Sequence, residues 1–168
     1  MAINRNLVVM VKSPRIGRVK TRLGRDIGYV SAWAFYRRML RNVLRPLAQD
    51  RRWTTWLAVS PDGALRNEHI WPIRTPRVRQ GGGDLGDRMG RVMVVMPPGP
   101  VVIIGMDIPD ILPRHIEQAF RELGVHDVVF GPADDGGYWL VGLKRRPALK
   151  EIFARVRWSS EHTLADTR

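Results

Sequence analysis

The sequence predicts an α/β sandwich built on a mostly parallel sheet, and three observations carry that prediction. Leu7–Val11 and Val101–Ile104 are continuously apolar and rich in β-branched residues, the pattern of strands buried on both faces. Segments with helical periodicity, above all Tyr29–Ala48, separate such runs, and strands alternating with helices give an α/β fold. Polar, Gly-rich segments follow several of the strands, where open α/β sheets keep their ligand crevice.

Composition sets the outer limits. A chain of 168 residues with 44% apolar content is expected to form one domain spanning residues 1–168 with a substantial core. No apolar run reaches the ~20 residues of a membrane span, and the start lacks the long apolar stretch of a signal peptide, so a cytoplasmic location is the default. With no cysteine there is neither a disulfide framework nor a thiolate metal site. The charge is unusual: 28 Lys plus Arg against 16 Asp plus Glu, net +12, a balance that favours anionic partners. The basic residues are spread along the chain without a block of five or six.

In order, Leu7–Val11 reads as the first strand, and Lys12–Arg22 as a loop punctuated by Pro14 and Gly17. In Tyr29–Ala48, residues Ala32, Tyr36, Met39, Leu40, Val43 and Leu47 share one helical face, while Arg37, Arg41 and Arg45 form a wet stripe. Thr54–Val59 is the next strand. Residues 64–79 hold a short helix and a short edge strand broken by Pro72 and Pro76. Gln80–Met89 is a Gly-rich turn leading into an apolar segment that ends at Met96. Pro97-Pro98-Gly99-Pro100 then connects rigidly to the Val101 strand. Pro113–Leu123 is helical, Asp127–Phe130 and Tyr138–Leu143 are strands, and a helix is expected near Pro147–Phe153.

Four segments answer the demands of a nucleotide site. Glycines let backbone N–H groups approach phosphate oxygens closely. Lys20 and Arg22 supply positive charge, and Arg22 can grip phosphate bidentately. Asp107, where the Val101 strand ends, offers with Asp134 or Asp135 hard oxygen ligands for Mg²⁺ or Mn²⁺. The bland readings stand beside these. Asp107 also suits a turn or a helix cap, Lys20-Thr-Arg22 ordinary surface, Gly81–Gly83 a loop tip, and Asp134–Gly137 a hairpin turn. There is neither a P-loop nor a G-x-G-x-x-G fingerprint. His69, His115, His126 and His162 share no metal-ligand spacing and read as surface or capping residues.

Five motifs occur in a fixed order. They are Lys12-x-Pro14-x-x-Gly17-x-x-Lys20-Thr-Arg22-Leu23; Gln80-Gly-x-Gly83-Asp84-Leu-Gly86-x-Arg88-Met89; Gly105-x-Asp107-x-Pro109; Gly131-Pro-Ala-Asp134-Asp135-Gly136-Gly137-Tyr138-Trp-Leu; and Trp158-Ser159. Together they resemble the bacterial DUF2064 family, glycosyltransferase-like proteins similar in fold to GT-A nucleotide-diphospho-sugar transferases. More distantly they resemble molybdenum-cofactor and 2-phospho-lactate guanylyltransferases. The resemblance covers about Leu7 to Thr163. It implies a three-layer α/β/α sandwich with a mostly parallel mixed sheet.

The resemblance also implies a nucleotide site formed by Lys12, Pro14, Gly17, Lys20, Arg22, Gln80, Gly83, Asp84 and Gly86. Asp107 would be the metal-binding acid, with Asp135 as candidate second ligand because the motif is Asp-Ile-Pro and not Asp-x-Asp. Asp107, Lys20 and Asp135 would be catalytic, and Asp134, Gly136, Gly137, Trp158 and Ser159 would face the acceptor. Family members commonly continue past Trp-Ser with a strand and an acidic motif, which this sequence lacks.

The expectation is thus a transferase that uses a nucleotide-activated donor and Mg²⁺ or Mn²⁺. Glycosyl transfer from a nucleotide sugar to a small acceptor is one form. The alternative is nucleotidyl transfer from a nucleoside triphosphate to a phosphorylated small molecule. A nucleic-acid-binding protein, with Trp53, Trp56 and Arg51-Arg52 as its contact surface, is an alternative of another class, and a pocket that has lost catalysis is a third. A membrane span is not expected, nucleic acid is the less favoured partner, and an exposed sheet edge could invite a homodimer.

Overall fold

A computed structural model describes residues 4–145, 152–154 and 156–167. Six strands form one sheet in the order β3-β2-β1-β4-β6-β5: β1 Asn6–Lys12, β2 Thr54–Ser60, β3 Arg77–Arg79, β4 Val101–Ile104, β5 Val128–Pro132 and β6 Tyr138–Leu143. β3, β2, β1 and β4 pair in parallel, and β6 runs antiparallel to both β4 and β5. Five strands therefore point the same way, and the sheet is mixed but mostly parallel.

The side chains of the sheet alternate between two cores, as a period of two requires. Leu7, Val9 and Val11 of β1 and Val102 and Ile104 of β4 face one core; Val8, Val101 and Ile103 face the other. Helix α2, Tyr29–Gln49, covers the first face with Tyr36, Met39, Leu40, Val43, Leu44 and Leu47. Helix α4, Pro113–Glu122, joins it through Ile116, Ala119 and Phe120. Helix α3, Leu85–Val95, covers the opposite face with Met89, Val92 and Met93. This is the expected three-layer sandwich. All six residues assigned to the apolar face of α2 are buried, while Arg37, Arg41 and Arg45 are exposed.

Local chemistry explains the helix ends. The side chain of Asp84 accepts from the Asp87 N–H, and Asp87 accepts from the Asp84 N–H, a reciprocal cap for two donors that α3 leaves unpaired. Pro113 opens α4, where its missing N–H costs nothing. The Nδ1 of His115 accepts from Leu112 N–H, so this histidine has the capping role expected of it.

Three boundaries differ from the sequence reading. The loop after β1 is interrupted by a helix, α1, Thr21–Ile27, whose seven residues hold too few apolar positions to show a period. Residues 62–70 form two 3-10 turns, Asp62–Arg66 and Glu68–Ile70, and β3 is the edge strand expected nearby. β5 begins one residue late and extends to Pro132. The helix expected near Pro147–Phe153 falls mostly outside the described residues, and Ile152–Ala154 is a turn. A short helix, α5, Thr163–Thr167, ends the described chain. No helix is long and apolar enough to cross a membrane among the described residues.

Candidate nucleotide site

Because five strands share a direction, their carboxyl ends share one edge of the sheet. The loop after β1, the start of the Gly-rich turn after β3, the Gly105–Pro109 segment after β4 and the hairpin between β5 and β6 all leave from that edge. This convergence matches the crevice expected of an open α/β sheet.

The first loop is held from below by α2. The Tyr36 hydroxyl donates to the Lys12 carbonyl at 3.0 Å and accepts from the Lys12 N–H at 3.1 Å. Trp33 Nε1 donates to the Pro14 carbonyl at 2.7 Å. Burial pushes the Tyr36 phenol up to about 12; the Lys12 hydrogen bond opposes the rise and the charge of Asp107 adds to it. Tyr36 is therefore a neutral tether at physiological pH. Val19 is buried beneath the loop, and Gly17 turns its tip at φ +72°.

Lys20 sits at the start of α1 with φ 48° and ψ 45°, a left-handed conformation that costs a non-glycine residue about 1–2 kcal/mol. Its side chain crosses to the segment after β4, where Nζ donates to Asp107 Oδ1 at 2.5 Å. The pair links two motifs 87 positions apart.

Between these segments lies a cavity of about 800 Å³, within the size range of small-molecule sites. Lys12, Lys20, Arg22 and Arg88 line it, and among the described residues Asp107 is the single acid that does so. Its apolar wall includes Val19, Leu23, Phe35, Leu85 and Met106. Four cations around one carboxylate suit a ligand that carries several negative charges.

Of the residues proposed for the nucleotide, Lys12, Lys20, Arg22 and Gln80 line this cavity together with Asp107. Gln80 braces the sheet as well, for it is buried and its Nε2 donates to the carbonyls of Val11 and Ala58. Pro14, Gly17, Gly83, Asp84 and Gly86 are not lining residues. Pro14 and Gly17 belong to the loop backbone that shapes the cavity. Asp84 caps α3, and the Gly83 carbonyl accepts from Arg88 Nε at 3.1 Å.

The remaining motifs form a second group. Gly86 lies against Trp158, whose ring would stand 2.6 Å from a Cβ at position 86. Trp158 also meets Tyr138 edge-on and tilts against Phe153. Gly136, at φ +81°, lies against the backbone of Glu161, and its carbonyl accepts from Leu164 N–H at 3.0 Å. Asp135 Oδ1 accepts from Gly137 N–H at 3.0 Å, so Asp134–Gly137 forms the hairpin turn. Asp134, Asp135, Gly137 and Ser159 are not among the lining residues of the Asp107 cavity. The glycines of this group make room for the chain segment that carries Trp158 and α5.

Among the contributors to the cavity that sequence reasoning misses, three are instructive. Tyr36 reads as a core residue alone, because its helical position gives no sign that its hydroxyl reaches Lys12. Phe35 and Leu85 are each close to half exposed, and only the fold brings them to the same cavity. Among the described residues no group of three His, Cys, Asp or Glu could by itself hold a metal ion. A single carboxylate beside a cationic surface nevertheless fits Mg²⁺, which is commonly held by one or two carboxylates plus substrate phosphates and water.

The surface named for nucleic acid is differently employed. Trp53 is buried, its Nε1 donates to the Leu47 carbonyl, and Arg52 stacks on its ring while pairing with Asp50 and Glu117. Trp56 is partly buried and donates to Asn6 Oδ1.

Comparison with known proteins agrees with this architecture. The structure is similar to that of a candidate nucleotide-diphospho-sugar transferase from Desulfovibrio desulfuricans G20, with TM-score 0.87 and 29% identity over 97% of this chain and 73% of that one. It is also similar, in fold alone, to a 4-diphosphocytidyl-2C-methyl-D-erythritol synthase from Anaerococcus prevotii, with TM-score 0.52 and 11% identity over 79% of this chain and 57% of that one. No curated protein matches the sequence. The family model described as an uncharacterized protein conserved in bacteria (DUF2064) matches residues 43–160, which takes in every motif except the first loop. The chain belongs to the DUF2064 family.

Proposed function

We propose that the protein is a transferase that binds a nucleotide-activated donor in the Asp107 cavity and transfers a glycosyl group to a small acceptor. The observation that carries this reading is the cavity itself. It sits at the carboxyl edge of a mostly parallel sheet and is lined by Lys12, Lys20, Arg22 and Arg88 as well as Asp107. The similarity to the candidate nucleotide-diphospho-sugar transferase supports the donor class.

In this reading the acceptor oxygen bonds to the anomeric carbon as that carbon's bond to the diphosphate oxygen breaks, and the acceptor's proton passes to water or to the departing diphosphate. Lys12, Lys20 and Arg22 bind the diphosphate and stabilise the negative charge that grows on it. Tyr36 and Trp33 fix the loop that presents Lys12 and Lys20, so less reorganisation is needed when charge develops. Asp107 would hold Mg²⁺ or Mn²⁺, which when bound neutralises the departing diphosphate. Phe35, Leu23 and Leu85 supply apolar surface against the non-phosphate part of the ligand. The acceptor approaches from the open side of the cavity, and Asp134–Gly137 with Trp158 and Ser159 borders the same sheet edge.

One observation favours a second reading, nucleotidyl transfer. Among the described residues Asp107 is the single acid lining the cavity, so none of them offers a second carboxylate there as a base for an acceptor hydroxyl. A phosphate acceptor is already anionic and needs none. In that reaction the acceptor oxygen bonds to the α-phosphorus of a nucleoside triphosphate, the α–β bridge bond breaks and pyrophosphate leaves.

Thermal unfolding with a panel of nucleoside di- and triphosphates and nucleotide sugars, each with and without Mn²⁺, tests the proposal. A ligand at 100 times its dissociation constant adds about 2.7 kcal/mol of stability. One nucleotide class should stabilise the protein in the presence of Mn²⁺, and Asp107→Asn should lose the metal-dependent part. Stabilisation by nucleotide sugars selects the first reading, and by triphosphates alone the second. No response to any nucleotide overturns both.

A further inference from the structure

We propose that Lys20 is a resident counter-ion that a divalent cation must displace from Asp107, so that the cavity takes up cation and phosphate ligand together and holds the cation alone only weakly. The inference rests on the nucleotide-site reading above. It concerns the order in which that site fills and the form of ligand that fills it, a metal–polyphosphate chelate.

Four observations carry it. Lys20 Nζ lies 2.5 Å from Asp107 Oδ1, whereas Mg²⁺ sits about 2.0–2.1 Å from a ligating oxygen. An ion on that oxygen would stand within about 4 Å of the ammonium and be repelled by it, so the two compete for the carboxylate. The other carboxylate oxygen offers no escape, because a dication there would remain within a few ångströms of the ammonium and be repelled by it. Second, Asp107 is the single acid among the described lining residues; a cation arriving alone gains one protein charge from them and must compete with another to use it.

Third, the pair is easily exchanged. The Asp107 side chain is 75% exposed and that of Lys20 24%, and an ion pair so open to water contributes little to stability. Fourth, the displaced lysine gains a new oxyanion only when phosphate is present. Lys12 and Arg22 line the same cavity, so without an anion Lys20 exchanges its carboxylate for water alone. With a diphosphate bound, its ammonium exchanges one oxyanion for another. The αL backbone at Lys20 fixes where its side chain begins, leaving side-chain rotation as the motion required.

Mn²⁺ binding, read by the relaxation of water protons, tests this with no turnover required. The probes are Mn²⁺ alone and Mn²⁺ with pyrophosphate, which removes the identity of the base from the question. Lys20→Met should bind Mn²⁺ alone about five-fold more tightly than the natural protein, the fold-change expected when an exposed ion pair no longer competes. Lys20→Arg, which keeps the pair, should behave like the natural protein. Pyrophosphate should raise the Mn²⁺ affinity of the natural protein more than that of Lys20→Met. Asp107→Asn should abolish binding of Mn²⁺ alone and weaken its binding with pyrophosphate.

Equal affinity of Lys20→Met and the natural protein for Mn²⁺ alone, with pyrophosphate-dependent binding intact, would overturn the exchange and leave the site reading standing. Absence of bound Mn²⁺ in every protein, with or without pyrophosphate, would overturn the metal site and the exchange together. The far-ultraviolet circular dichroism of each variant shows that it is folded, and Lys20→Arg shows whether any change follows from the charge.

Discussion

Tyr36→Phe isolates the tether between α2 and the first loop. The hydroxyl is buried and serves both backbone groups of Lys12, donating to the carbonyl and accepting from the N–H. Phenylalanine keeps the ring in the core and leaves both groups without that partner. Stranded buried polar groups cost about 1–3 kcal/mol; at about 2 kcal/mol the melting temperature of a chain this size falls by roughly 4–8 °C. The pH dependence supplies an independent check. The phenol is raised from 10.0 to about 12 in the folded protein, so between those values the unfolded chain gives up its proton more readily. Stability from this residue is intact below pH 10 and lost as pH rises through 12, by about 3 kcal/mol. Urea unfolding from pH 8 to pH 11.5 should thus show an alkaline decline in the natural protein that is shallower in Tyr36→Phe. Equal stability at pH 8 with identical alkaline slopes would refute the tether.

Three further substitutions examine the supporting structure. Gly86→Ala would place a Cβ 2.6 Å from the Trp158 ring and 3.0 Å from the Phe153 carbonyl, and should destabilise by about 1–3 kcal/mol in urea titrations; a loss under 0.5 kcal/mol would mean that the Trp158 segment does not pack on α3. Gln80→Leu removes the donor to the Val11 and Ala58 carbonyls and should cost about 2 kcal/mol in the same assay, whereas an unchanged midpoint would show that those carbonyls find other partners. Arg157 hydrogen bonds hold the Asp166 carboxyl well below its usual range, so its stabilising effect is present above the ordinary carboxylate pKa and fades as pH falls through that range and below. Asp166→Asn should expose the end of the chain to limited proteolysis at pH 7, with little further change at pH 3; equal cleavage of both proteins at pH 7 would count against the bridge.

The parts of the fold visible in the sequence are those whose signal is local. Val101–Ile104 carries its burial in its own composition, and the face of α2 is written in a 3.6-residue period. The direction of β6 is not local. Tyr138–Leu143 would read the same in a parallel strand, and its antiparallel pairing with β4 and β5 follows from a five-residue turn that leaves no room for a crossover. The site shows the same division. That Lys20, Arg22 and Asp107 belong together is legible from motif order, but Gln80 bracing two strands and Tyr36 holding Lys12 depend on distances that sequence spacing does not encode. Asp84 illustrates a signal given the wrong weight. An acid three residues before another acid, at the start of an apolar helical segment, describes a helix cap, and the structure uses it as one.

Charge, too, looks different once the fold assigns it a place. Counted along the chain the basic residues look dispersed, yet residues 12–45 hold ten Lys or Arg against one acid, Asp26. That stretch is the first loop, α1 and most of α2, the elements that supply the cavity with Lys12, Lys20, Arg22, Phe35 and Tyr36. Nine of the twelve net positive charges therefore lie in the segment that frames the site, whereas the tryptophan surface proposed for nucleic acid has its rings packed and its Arg52 paired. Such a field draws small polyanions toward the cavity and weakens with salt, because the screening length is about 8 Å at physiological ionic strength. In the proposed site, exposed arginines such as Arg41 would act only through that field, and cavity residues such as Arg22 at short range as well. Raising salt should accordingly slow the association of a nucleotide more than it speeds its release. Arg41→Gln should lower the association rate and its salt dependence, and Arg22→Gln should raise the dissociation rate. If both variants alter dissociation alone, the charge excess is not a steering field and the cavity captures its ligand by contact.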